Sequence, residues 1–401
     1  MQCLNLSLEH AETALTWLND VYSNDGTGFE QVQACDIFVL VGLAALARNE
    51  ALQVDVSEQN TLGRFAHAVG FDEVISTAKP FAPTEKGRTV SLARFTKHDQ
   101  YEQAVTSIVK LIFPVMGNEE AQQTLRYVLI ELFRNVNQHS RDPLGGVVAA
   151  QVQEDGSVQV AIADCGVGIP QALAGMHPSL GEPAAALNRA ICAHISGSFA
   201  EGETGGGQNA GMGLFFISEM TKLVAGTLLV ASRGDALLLR SNPEELHDNH
   251  LRTLGLGYPG TLVAFSLFPE NVGDFDGILE KVNENARRYT PKSSGRTHWL
   301  SFEGDDFQSS DALQLMIAVA SEDTVAAAEF ATNTLEKQLL QRQALQLNFR
   351  NLKVCTQSFL HALLYEPVRL AWALKVPVQI LNATPAVKGG LRLLENYALA
   401  V

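Results

Sequence analysis

Apolar residues between Asp99 and His139 return at helical spacing: Val105, Ile108, Leu111 and Ile112, then Leu125, Val128, Leu129, Leu132 and Val136. The pattern predicts two helices divided near Pro114 to Asn118. After Arg141-Asp-Pro-Leu-Gly-Gly the period changes to alternation. GVVAAQVQ and VQVAIAD predict a β-hairpin, with Asp155-Gly156 supplying the tight turn and Asp164 left at the end of the second strand. From Pro170 to Gly213 strand character is low. PAAALNRAICAHI predicts one helix there, beside a glycine-rich tract, GETGGGQNAGMG, and so long a connection reads as a mobile functional lid or a disordered insertion. A helix, LFFISEMTKLVAG, and the strands TLLVAS, ALLLRS and, after a polar loop, TLVAFSLF follow. This order predicts an α/β sandwich with helices on one face of a mixed sheet, over residues 96–285.

Two flanking regions differ from it. Residues 1–95 mix the apolar run IFVLVGLAALA, the segment ALQVDV and a helical stretch, TLGRFAHAVGFDEVI, and end in KPFAPTEKGR, whose prolines, glycine and charges read as a linker or exposed loop. They predict a small N-terminal α/β domain. Beyond the polar stretch YTPKSSGRT, residues 295–401 carry a helix, DTVAAAEFATNTLEKQLLQ, a strand, ALQLNF, a helix from Gln357, a strand, PVQILNA, and a terminal helix, GGLRLLENYAL. That β-α-β-α run suffices for a separate domain.

Composition narrows the function. With 46% hydrophobic and 18% charged residues the chain is globular, and its 401 residues predict two or three domains. A net charge of -15 opposes a non-specific grip on nucleic acid or anionic lipid, both of which need positive potential. The longest apolar run, Ile37 to Ala47, falls short of the roughly 20 residues of a membrane span. Five scattered cysteines without a Cys-x-x-Cys pair, and an N-terminus unlike a secretory signal, predict a cytoplasmic protein.

Four strings carry candidate chemistry. In ELFRNVNQHS, Glu131, Asn135 and His139 recur one turn apart, Glu131 and Asn135 at the border of the apolar stripe; in isolation such a pair is a solvated i,i+4 contact. Asp164-Cys-Gly166-Val-Gly168-Ile-Pro puts a carboxylate, able to accept from an exocyclic amine, ahead of glycines that admit a flat ligand; a plain Gly/Pro turn is the simpler alternative. The tract ending Gly211-Met-Gly213-Leu214 runs into a helix whose free N–H groups suit phosphate, but it is neither a P-loop nor a dinucleotide fingerprint. Gly260-Thr261 opens the last strand.

Taken in order, these strings resemble the ATP site of GHKL proteins, the group that includes histidine kinases, anti-sigma serine kinases and gyrase. The resemblance covers about residues 100–270 and implies the GHKL, or Bergerat, α/β sandwich with ATP and Mg²⁺ as cofactors. It implies that Asn135 is the Mg²⁺ ligand and Glu131 the catalytic acid/base. Asp164 would read adenine, with Gly166 and Gly168 along the base and Thr261 on its far side. Gly211, Gly213 and Leu214 would line the phosphates, and His139 either approaches them or caps a helix end.

Glu-x-x-x-Asn-x-x-x-His is similar to the pattern of anti-sigma serine kinases, and the tail resembles the STAS-like domains that accompany them; a STAS-like reading of the N-terminal segment stays open. In STAS targets of such kinases a serine at the strand-to-helix turn is phosphorylated. Ser358 sits there, with Thr356 nearby, although Thr356-Gln-Ser358-Phe replaces the usual Asp-Ser-Ser-Gly. The expected function is therefore a cytoplasmic ATPase or serine/threonine kinase acting on a STAS-like partner in cis or in trans. The alternative is an ATP-gated switch or scaffold without phosphotransfer, and pairing of two copies stays open.

Overall fold

The computed structural model describes residues 4–23, 31–49, 54, 60–76, 85–96, 98–113, 119–175, 177, 180, 182–193, 213–241, 250–272, 275–286, 298–307, 309, 311–319 and 323–399. The chain is a mixed α/β protein that divides into two compact units, Met1–Ile191 with Ile217–Gly273, and Cys192–Phe216 with Asp274–Val401. Among the described residues no helix is long and apolar enough to cross a membrane.

The first unit is built on an eight-stranded sheet. In spatial order its strands are Glu85–Lys86, Thr89–Phe95, Gly146–Val152, Val158–Asp164, Thr261–Leu267, Thr227–Ser232, Asp235–Arg240 and His250–Thr253. Every neighbouring pair is antiparallel, so the sheet is not mixed as expected. The hairpin at Asp155-Gly156 forms where alternation placed it: Asp155 Oδ1 accepts the Ser157 N–H at 2.9 Å, and Gly156 supplies a φ of +88°. The strand His250–Thr253 arises inside the segment read as a polar loop.

Helices cover both faces of this sheet rather than one. On one side the N-terminal segment packs directly onto it. The helix Ile37–Asn49 is apolar all round, and every residue from Ile37 to Ala47 is buried, as a helix enclosed on every side requires. Its core continues into Val147, Ala149, Ala161, Ala163, Leu229, Leu238 and Leu262 of the strands. Asp36 ties the helix start down: its Oδ2 accepts from Gln159 Nε2 at 2.9 Å and from the Leu8 N–H at 2.8 Å. The helices Ala11–Ser23, Thr61–Ala68 and Phe71–Ser76 and the parallel pair Leu4–Leu6 with Val32–Cys35 complete this layer. No packing boundary falls at residue 95, because Thr89–Phe95 is an inner strand and Gly87-Arg88 is the turn of the hairpin that joins it to Glu85–Lys86, Gly87 having a φ of +61°; the start of the expected linker, residues 79–84, lies outside the described residues.

On the opposite face lie the helices His98–Ile112 and Glu119–Asn135, divided where the sequence predicts. Phe133 packs on Phe95 there, with ring centroids 4.5 Å apart. The helices Gly168–Ala174 and Pro183–Ala190 follow the strand that ends at Asp164.

The second unit holds a four-stranded sheet, in spatial order Leu300–Phe302, Val378–Leu381, Leu345–Asn348 and Leu313–Met316, parallel throughout. The helices Gln357–Leu374 and Pro385–Ala398 form as expected, each N-capped by a threonine, Thr356 and Thr384. The helix expected after Asp323 is interrupted by a π turn at Ala331–Leu335. Phe275–Ala286, expected to close the first domain at 285, belongs to this unit instead.

Candidate functional site

The sheet end at Asp164 gathers polar residues from three strands. Asp164 stands directly opposite Thr261, and Thr261 opposite Ser232 on its other side. Opposed residues share a face, so the three side chains form one row. One step along, Ala163 and Leu262 belong to the core beneath the N-terminal helices, so the row points to the other face.

Asp164 is 2% exposed, and its Oδ1 accepts the Gly166 N–H at 2.9 Å. Burial pushes its carboxyl up to about 7; the Gly166 amide pulls it down, Asp142 pushes it further up, and Arg48 and Arg233 oppose that. A carboxylate so placed costs stability in its charged form, a feature of sites selected for function.

The turn that follows is fixed from several sides. The Cys165 N–H donates to Asp142 Oδ2 at 2.8 Å, and the Val167 N–H to the Ser140 carbonyl at 2.8 Å. Ser232 Oγ accepts the Ile169 N–H at 2.9 Å and donates to the Gly260 carbonyl at 2.7 Å, with Thr261 Oγ1 3.5 Å away. Arg233 Nη2 reaches over the turn to the Gly166 carbonyl at 3.0 Å. The glycines serve this packing: a methyl group at Gly166 would collide with the Ser140 backbone and one at Gly260 with the Asp164 carbonyl, while Gly168 has a φ of +78°.

The helix carrying the Glu-x-x-x-Asn string ends against this turn. Asn135 is its last residue and half-buried, and a π turn, Val136–Ser140, follows and closes at Arg141 with a φ of +56°. The wider turn breaks the one-turn spacing expected to stack His139 beyond Asn135. His139 is half-buried, and burial with the Arg141 charge beside it holds its imidazole below the usual range. Glu131 is 2% exposed and ion-paired with Arg134 Nη1 at 3.2 Å.

The structure thus brings together Asp164, Gly166, Gly168 and Thr261 with the helix end that carries Asn135 and His139. Gly211 lies outside the described residues. Gly213 and Leu214 open the helix Gly213–Leu223, in the stretch that clusters with the second unit. No protein-family model matches the chain, and no curated protein matches its sequence. The residues' own geometry therefore carries the functional reading.

A buried carboxylate and a hydroxyl side by side can accept from an exocyclic amine, the chemistry that an aminopurine would need. Among the described residues no group of three or more His, Cys, Asp or Glu could hold a metal. A magnesium ion at Asn135 would accordingly draw its other ligands from phosphate and water, as this ion commonly does.

Motif reading missed Asp142, Ser232, Arg233, Arg48 and Arg94. Asp142 had a local signal in its Asp-Pro-Leu-Gly turn, where Oδ1 accepts the Leu144 N–H at 2.8 Å. The others are single polar residues at the ends of apolar runs, and nothing in their spacing links them. In the second unit, Thr356 is the N-cap, its Oγ1 accepting the Phe359 N–H at 3.1 Å, and Ser358 is fully buried at 0% exposure. Phosphorylation of either hydroxyl requires the helix start to open.

Proposed function

We propose that the first unit binds Mg-ATP and that the protein is a nucleotide-dependent cytoplasmic regulator of the GHKL type. The row of Asp164, Thr261 and Ser232 beside the helix end at Asn135 is the observation that carries this reading. Asp164 accepts from the adenine amine, and Gly166, Gly168 and Thr261 border the base. Asn135 holds the ion on the phosphates, and His139 lies on the same helix end. Bound magnesium would supply charge neutralisation at the phosphates. Glu131 is the acid/base candidate for hydrolysis or for transfer to a serine or threonine on a STAS-like partner.

The Glu131–Arg134 pair favours a second reading, an ATP-gated switch with slow turnover, because a general base must be free to reach the proton it takes. Burial of Thr356 and Ser358 likewise favours a partner in trans over the protein's own second unit. Product analysis with Mg-ATP decides between the readings. Turnover that disappears in Glu131→Ala with binding retained selects the enzyme, and binding without turnover in the wild type selects the switch. No binding in the wild type removes both.

A further inference from the structure

Arg48 is a buried cation that the nucleotide site as described does not use. It is the penultimate residue of the N-terminal helix Ile37–Asn49, and its side chain is 3% exposed. Nη2 donates to the Gly145 carbonyl at 2.8 Å and lies 3.8 Å from Asp142 Oδ2, while Nε and Nη1 have no hydrogen-bond partner among the described residues. A guanidinium with unused donors in the interior is costly, and an apolar side chain of similar length would remove the cost. Its surroundings indicate what it does. Asp142 is fully buried at its side chain, and its Oδ2 holds the amide of Cys165, the residue between Asp164 and Gly166. Its Oδ1 holds Leu144, whose carbonyl accepts from the second buried arginine, Arg94, at 3.1 Å. The charged and titratable groups around this point are Arg48, Arg94, Asp142, Asp164, Arg233, Cys165 and Tyr258, whose hydroxyl donates to the Gly42 carbonyl of the Arg48 helix at 2.9 Å.

We propose that Arg48 is a positioning residue for the purine turn: from the N-terminal helix it fixes Asp142, and through Asp142 the Cys165 amide, so that packing of the N-terminal layer sets nucleotide affinity. The inference rests on the nucleotide reading for its ligand, but its mechanical half stands on the chain alone. A charge-assisted bond from an amide to a carboxylate is stronger than a neutral one. A carboxylate that loses its cation in the interior either takes a proton or turns toward water, and in both cases its grip on the amide weakens.

Amide hydrogen exchange on the full-length protein tests the mechanical half, and adenosine, which carries no phosphate, tests the affinity. In Arg48→Met, exchange at Cys165 should accelerate about tenfold or more, while the amides of strand 158–163 keep wild-type protection, and the adenosine Kd should rise about tenfold. Arg48→Lys, which restores the charge, should recover part of both. Asp142→Asn should accelerate Cys165 exchange as well, and serves alone if the Arg48→Met protein does not fold. Wild-type protection at Cys165 in the variants, or acceleration spread evenly along the strand, overturns the proposal. If exchange responds as described but the wild type ignores adenosine, the nucleotide reading fails separately.

Discussion

Two buried carboxylates, Glu395 in the second unit and Asp164 in the first, stand in opposite settings. In the second unit Glu395, 1% exposed, is saturated: it accepts the Trp299 and Leu300 amides at 2.5 Å each, Arg392 at 2.9 Å, and pairs with His298 at 3.0 Å. In the first unit Asp164 sits under a stability penalty, and Arg48 keeps donors without partners among the described residues. Saturated groups hold a fold together, whereas unsaturated ones persist where something beyond folding keeps them. On the proposed reading, the difference separates a structural carboxylate from one held ready for a ligand.

Replacing both carboxylates sharpens that contrast most strongly. Glu395→Ala strands the Arg392 charge and two strand-start amides, and should cost about 3–5 kcal/mol in denaturant unfolding of the second unit. Asp164→Asn should behave in the opposite sense. The folded-state value of about 7 lies above the ordinary 3.8, so the neutral form is favoured in the fold. The stability that Asp164 contributes is complete below about pH 4 and is lost as pH rises through 7. At 1.36 kcal/mol per unit, this sweep is worth about 4 kcal/mol. Unfolding at pH 5 and pH 8 should therefore show a falling stability in the wild type that Asp164→Asn largely removes. A flat wild-type profile would contradict the assignment.

Ligand binding gives the next largest effect. Calorimetric titration of Asp164→Asn should show nucleotide affinity reduced about a hundredfold, near 2.7 kcal/mol, although the variant is as stable as the wild type or more so at pH 8. If affinity survives, Asp164 is a buried oddity of the turn. Thr356→Ala, which removes a helix cap, should cost about 1 kcal/mol and leave nucleotide affinity unchanged.

Much of this arrangement was legible along the chain, and the exceptions have physical causes. The break before Glu119, the Asp155-Gly156 hairpin and the strand ending at Asp164 follow from period and turn chemistry. The strands Leu300–Phe302 and Leu313–Met316 are too short to show a period. Coverage of both sheet faces did have a signal, since VVAA, VAIA and ALLL run apolar without a polar side, as strands enclosed from both directions do. At the site, Asp164 and Thr261 could be named from motifs. Their standing opposite one another, and the convergence of Ser232, Arg48 and Asp142 on the same turn, depend on register and packing between residues as far as 97 positions apart.

The most direct test is the melting temperature with and without Mg-ATP for the wild type, Asp164→Asn and Asn135→Ala. A ligand that binds the native state at a hundred times its Kd stabilises it by about 2.7 kcal/mol, so the wild-type transition should rise by several degrees and the rise should shrink in both variants. A wild-type transition that does not move, or variants that rise as far as the wild type, would contradict the account.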